Sequence, residues 1–168
     1  PSPRNKLLIE RATKIQQKFK VAVINQITGE SLNGALIAAE KGLIEPILIG
    51  PINKIKQAAK QIDKDITRYE LIDIENSIQT AQQAAQLVKE NKANSLMKGD
   101  IHTDEIMKIV VSREAGLRTG RRISHVLILD IPSYEKLVIF TDVAINITPD
   151  IVVKKDIVQN AIDLAHAL

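Results

Sequence analysis

Apolar positions along the chain alternate between short continuous runs and helical spacing. Leu8, Ala12, Ile15 and Phe19 recur every three to four residues, which predicts an opening amphipathic helix over 4–19, and KVAVIN (20–25) reads as a first buried strand. Thr28 or Ser31 caps a helix with Leu32, Ala35, Leu36 and Ala39 on one face, and Gly42 ends it as a left-handed residue past the last turn. PILI (46–49) is the second strand. Gly50-Pro51 turns the chain into a short lysine-rich surface helix over 52–62, with proline at a position that a helix start tolerates. YELIDI (69–74) is the third strand. Asn76 or Ser77 then caps a helix whose Ile78, Ala81, Ala85 and Val88 face inward, and Ser95-Leu96-Met97 is the fourth strand. Four short apolar runs separated by helices predict an α/β fold with a doubly wound, mainly parallel sheet.

The pattern changes after residue 124. HVLILDI (125–131) and KLVIFTD (136–142) are apolar runs too close together for a helical crossover, so they predict an antiparallel hairpin around Pro132-Ser133-Tyr134. Thr148 as cap and Pro149 in the first turn predict a last helix with Val158, Ala161, Ile162 and Ala165 on one face. The expected division is a first α/β domain over 1–130 and the start of a second domain over 131–168.

One stretch concentrates candidate chemistry. Arg113, Arg118, Arg121 and Arg122, four of the seven arginines, fall within ten residues, interleaved with Gly116 and Gly120 and closed by Ser124 and His125. Upstream, a strand ends at Lys98-Gly99, and Thr103, Asp104 and Glu105 supply a cap and an acidic first turn for a following helix. A strand turning through Lys-Gly into a helix suits an anion, because glycine admits a close backbone and guanidinium forks match phosphate oxygens two at a time.

Other motifs carry less. Gly29 and Gly34 have P-loop spacing, but Ala35 and Leu36 follow where Lys and Ser/Thr are needed, so the segment reads as a helix start. No GxGxxG follows a strand, which leaves a nicotinamide cofactor unsupported. Asp100, His102, Asp104 and Glu105 alternate as metal ligands do. They are equally explained by a loop and an acidic helix start, and no second ligand cluster occurs, so no metal site is assigned.

Composition narrows the classes. Of the 168 residues 45% are hydrophobic, with two Phe, two Tyr and no Trp, so the interior must be aliphatic, as covered parallel sheets are. The absence of cysteine removes disulfides and any enzyme thioester. No stretch approaches the roughly 18 apolar residues of a membrane span or a signal peptide's apolar run, giving an expectation of a cytoplasmic protein without a membrane partner. The net charge of +3 comes mostly from lysines scattered over helices, and the few aromatics leave little to stack bases, so nucleic acid is not an expected partner.

LMKGDIHTDEIM (96–107), GLRTGRRISHV (116–126) and FTDVAINITPD (140–150) resemble, in order and spacing, consecutive motifs of the phosphate acetyl/butyryltransferase family. The resemblance implies a two-domain fold related to that of isocitrate dehydrogenase, usually dimeric, that exchanges an acyl group between coenzyme A and inorganic phosphate. It places Lys98, Gly99, Arg118, Thr119, Arg121, Ser124 and His125 on motif positions, with Asp142, Asn146 and Pro149 in the later block. Asp142 and Asn146 suit either ligand contact or a turn and a cap. Arg122 falls where relatives are expected to be apolar and is assigned no role. Phosphate is expected near Lys98, Arg118 and Arg121, and coenzyme A along an interdomain cleft. No permanently bound cofactor is implied, and a homodimer is. The family's Ser-Arg pair and catalytic aspartate belong to later segments without a match here, so catalytic residues are not assigned. The sequence looks like roughly the first half of such an enzyme, expected to be inactive alone. The alternative is an anion-binding or regulatory remnant without catalysis.

Overall fold

The structure, a computed structural model, describes residues 2–15 and 17–168. In chain order its elements are α1 (Pro3–Thr13), β1 (Lys20–Ile24), α2 (Gly29–Glu40), β2 (Glu45–Gly50), α3 (Ile52–Gln61) and β3 (Glu70–Asp73). There follow α4 (Ser77–Lys89), β4 (Ser95–Lys98), α5 (Thr103–Val110), β5 (Val126–Leu129), β6 (Val138–Thr141) and α6 (Ile151–Ala167). The chain divides into two compact units, Ile15–Arg118 and a second formed by Pro1–Lys14 together with Thr119–Leu168.

In the unit Ile15–Arg118 the sheet order is β3-β2-β1-β4, with every neighbouring pair parallel. The chain runs outward from β1 through β2 to β3 and then returns to place β4 on the other side of β1. That is the doubly wound arrangement which the alternating runs imply. Val21, Val23 and Leu48 pack with Leu32, Ala35 and Leu36 of α2 and Ile55, Ala58 and Ala59 of α3. The intervening Ala22, Ile24, Ile47 and Ile49 pack on the opposite side with Ala81, Ala84 and Leu87 of α4 and Ile106 of α5. Both faces of β1 and β2 are therefore buried, which is why their sequences are continuously apolar. Each buried Val, Leu or Ile contributes about 1.5–3 kcal/mol.

The local signals mostly hold. The Thr28 side chain caps α2, and Gly42 takes φ 72° beyond its last turn. The Asn76 side chain accepts the Ile78 and Gln79 N–H groups at 3.0 Å each to start α4. Five expectations change. The opening helix stops at Thr13, so Ile15 and Phe19 lie past it and are exposed; Gln16, within the expected span, lies outside the described residues. α4 turns Thr80, Ala81, Ala84, Ala85 and Leu87 inward and leaves Ile78 exposed. Alanines let this helix lie close on the sheet, and the Thr80 hydroxyl is satisfied by the Asn76 carbonyl at 3.0 Å. The cap of α5 is His102, with Thr103 the first helical residue. α6 is capped by Asp150, whose carboxylate accepts the Val153 N–H at 2.8 Å, rather than by Thr148. It buries Ile157 and exposes Val158 and Ile162, a rotation fixed by polar contacts described below.

In the unit formed by Pro1–Lys14 and Thr119–Leu168, β5 and β6 pair antiparallel with Leu127 opposite Phe140. This is the hairpin that the closely spaced apolar runs predict. Arg4 at the start of α1 clasps the far end of the hairpin. Its Nε lies 3.0 Å from the buried Asp130 carboxylate, and its Nη1 donates to the Tyr134 carbonyl. Among the described residues, no helix is long and apolar enough to cross a membrane.

Candidate functional site

In the unit Ile15–Arg118, β4 ends beside β1 at the point where the winding reverses, the position at which open α/β sheets present their crevice. Lys98 closes the strand, with an exposed ammonium 3.2 Å from the Gly99 carbonyl. Glycine at 99 has a reason internal to the fold, since a Cβ there would stand 2.3 Å from the Ile24 carbonyl oxygen and 2.9 Å from that of Asn25. The end of β1 is shaped to match. Asn25 takes φ 51° and donates through Nδ2 to the Asp100 carbonyl at 2.6 Å. Gln26, only 2% exposed, donates to the Lys98 carbonyl at 3.3 Å.

Asp100 ties this turn to α2. Its carboxylate accepts the N–H groups of Ile27 at 2.9 Å and Thr28 at 3.0 Å and the hydroxyls of Ser31 at 2.7 Å and Thr28 at 3.1 Å. Partial burial works to raise its pKa, but the bonds from Ser31, Ile27 and Thr28 outweigh burial and hold it below the usual value. The Asp100 carboxylate therefore occupies the start of α2, where a P-loop reading would place phosphate. Gly29 instead packs against Ile62, to which a Cβ would come within 2.7 Å. Arg118, exposed, ends this unit.

The remaining candidates lie in the other unit, on the segment that enters the hairpin. The Thr119 hydroxyl accepts the Arg121 N–H at 3.2 Å. Arg121 Nη1 donates to Asn160 Oδ1 at 3.2 Å and pairs with the Asp163 carboxylate. The Arg122 N–H donates to Asp156 at 2.9 Å, and its Nε to Asn146 Oδ1 at 3.1 Å. Asn160 Nδ2 donates both to the Arg122 carbonyl at 2.9 Å and to the Ser124 hydroxyl at 2.8 Å. Asp156, Asn160 and Asp163, spaced i, i+4 and i+7, thus form a polar stripe on α6 that anchors the arginine segment and sets the rotation of the helix. Sequence reading missed this stripe because it followed the apolar face. A polar series at helical spacing downstream of an arginine cluster was the available signal.

Asp142 and Asn146 hydrogen-bond to backbone groups around the open end of the hairpin. The Asp142 carboxylate accepts N–H groups from His125 at 3.0 Å, Ala144 at 3.3 Å, Ile145 at 3.2 Å and Asn146 at 2.9 Å, together with the Asn146 side-chain amide. Burial opposes its ionisation, yet the bonds from Asn146 and from the His125, Ile145 and Asn146 N–H groups hold its pKa far below the ordinary carboxylate range. Asn146 Nδ2 also donates to the Ile123 carbonyl at 3.0 Å. These internal partners occupy both residues. The His125 backbone joins the two strands, its carbonyl accepting from the Thr141 hydroxyl at 2.9 Å. The structure thus brings Thr119, Arg121, Ser124, His125, Asp142 and Asn146 into one unit, while Lys98, Gly99 and Arg118 belong to the other. Among the described residues, no three His, Asp or Glu side chains gather as metal ligands.

A doubly wound parallel sheet followed by a hairpin-and-helix unit defines an α/β protein with an arginine segment anchored to its last helix. The chain belongs to the phosphate acetyl/butaryl transferase family, whose model matches residues 75–168. It is 48% identical to the phosphate acetyltransferase of Rickettsia typhi over 150 residues, covering 89% of this chain and 43% of that protein. It is 32% identical to the phosphate butyryltransferase of Clostridium acetobutylicum, covering 98% of this chain and 54% of the relative. A crystal structure of a branched-chain phosphotransacylase from Enterococcus faecalis V583 superposes with a TM-score of 0.70 at 24% identity, covering 88% of this chain and 51% of that one, a likeness of fold. The chain spans about half the length of the curated relatives it matches.

Proposed function

We propose that this chain carries the anion-binding part of a phosphotransacylase that moves an acetyl or butyryl group between coenzyme A and inorganic phosphate. The observation that carries the reading is the anchored arginine segment, in a chain of this family whose relatives bear both acyl names. Lys98, Arg118 and Arg121 are the groups that the family resemblance offers to phosphate oxygens. In the reaction a phosphate oxygen attacks the thioester carbonyl carbon, the C–O bond forms, the C–S bond breaks and the thiolate of coenzyme A leaves. With a free thiol pKa of about 8.5, the leaving group asks little of a general acid. What the step needs is phosphate stripped of water and held in line, which fixed guanidinium charge supplies.

The substrates in this reading are acyl-CoA and phosphate, with no permanently bound cofactor, and the working state is a cytoplasmic homodimer. Turnover also draws on the region that makes up the other half of the relatives' length. The alternative is an anion-binding module without catalysis. Thiol release from acetyl-CoA and butyryl-CoA, with and without phosphate, separates the two. The proposed reading expects phosphate-dependent release when the chain is joined to the counterpart of the relatives' remaining half, and none from residues 1–168 alone. Phosphate binding without release by the joined protein would favour the module.

A further inference from the structure

We propose that Asp163 is a positioning residue that clamps Arg121 by one guanidinium nitrogen, so that the opposite edge of the fork is presented to a phosphate dianion. This rests on the reading of Arg121 as a phosphate ligand. Both contacts of the guanidinium fall on the same atom. Nη1 donates to Asn160 Oδ1 at 3.2 Å and to the Asp163 carboxylate, which uses its two N–H groups. Among the described residues Nε and Nη2 have no hydrogen-bond partner. Those two atoms form a complete edge of the planar fork, with parallel N–H groups spaced for two oxygens of one phosphate.

The clamp is itself held. Asn160 is fixed by its two donated bonds, to the Arg122 carbonyl and the Ser124 hydroxyl. Gln159 Nε2 donates to the other Asp163 oxygen at 2.8 Å. The backbone end of Arg121 is tied to the Thr119 hydroxyl at 3.2 Å. Bonds from Arg121 and Gln159 keep the Asp163 carboxyl below its ordinary pKa, so the clamp is ionised at neutral pH. A free arginine side chain has many rotamers, and ordering it costs part of the affinity of whatever it binds; an arginine already held by one nitrogen has met much of that cost. The carboxylate also lowers the net positive charge nearby, so a clamp and a competitor predict opposite signs.

The test is steady-state kinetics on the full-length protein containing this chain, with inorganic phosphate and acyl-CoA varied separately, for Asp163→Ala, Asp163→Asn and Arg121→Ala. Asp163 is half-exposed, so the variants should fold; circular dichroism and a melting curve verify this, and calorimetric titration with phosphate gives affinity independently of turnover. The clamp predicts that Asp163→Ala raises the KM for phosphate about two- to ten-fold, the range set by ordering one such side chain, with the KM for acyl-CoA unchanged. Asp163→Asn, which still accepts from Nη1, should recover most of the loss. An unchanged or lowered phosphate KM in Asp163→Ala, alongside a raised one in Arg121→Ala, overturns the clamp and leaves Arg121 as a ligand. An unchanged phosphate KM in Arg121→Ala removes the ligand role and the clamp with it.

Discussion

The Asp142 carboxylate accepts the backbone N–H of His125 at 3.0 Å, joining the residue before β5 to the residue after β6. The same carboxylate gathers the N–H groups of Ala144, Ile145 and Asn146, so one side chain closes the hairpin and shapes the loop beyond it. Asp142→Ala should therefore act on stability before it acts on any ligand. Stranding several donors of a charged acceptor is worth about 2–3 kcal/mol, a fall in melting temperature of roughly 5–10 °C for a chain of this size. Asp142→Asn keeps one acceptor oxygen and should lose less. Calorimetric melts of the two variants check the order.

Stability should also fall in acid for a stated reason. Asp100 and Asp142 both have folded pKa values below their unfolded value of about 3.9, so each contributes stability that is complete above that value and is lost as pH falls towards the folded one. Chemical denaturation at pH 6, 4 and 3 should give falling unfolding free energies. In Asp142→Asn the fall between pH 4 and 3 should be shallower, because the most depressed carboxyl is gone.

Gly99→Ala should destabilise by about 1–3 kcal/mol, at the upper end because the obstacles are the carbonyls of Ile24 and Asn25 rather than side chains that can turn away. Gly34→Ala, where nothing lies within 4 Å of the new Cβ, is the control and should be neutral or slightly stabilising through helix propensity. Denaturant midpoints of the pair measure the difference.

The sheet was legible in the chain because its strands are short continuous apolar runs. β1 and β2 are buried on both faces, so burial leaves an unbroken signature in VAVI and PILI. The hairpin was legible from spacing alone. Helix rotation was not: Ile78 looks like a core residue and is exposed, while Thr80 is buried because its hydroxyl finds the Asn76 carbonyl. α6 defeats the apolar rule in the same way, its rotation being set by Asp156, Asn160 and Asp163. These pair with arginine-segment residues at sequence separations of 34 to 42. The arginine cluster itself was visible as composition. Which of its members are held, and by what, depends on Asn146 and on a helix that begins only at Ile151.

Arg122 is held to Asn146 through its side chain and to Asp156 and Asn160 through its backbone, so Arg122→Ala should remove one hydrogen bond, about 1 kcal/mol of stability, with the backbone bonds retained. Phosphate use should be nearly unaffected. A thermal melt beside an activity assay distinguishes the two effects.

The measurement that bears most directly on the account is the KM for inorganic phosphate in the full-length protein carrying Arg118→Ala, Arg121→Ala or Arg122→Ala, with acyl-CoA saturating. Charge-assisted bonds to a phosphate dianion are worth about 1.5–3 kcal/mol, or about ten- to a hundred-fold. The account predicts losses of that size in phosphate kcat/KM for Arg118→Ala and Arg121→Ala and a minor change for Arg122→Ala. Equal losses in all three would reduce the segment to a diffuse positive field, and no loss in any would contradict its role in binding phosphate.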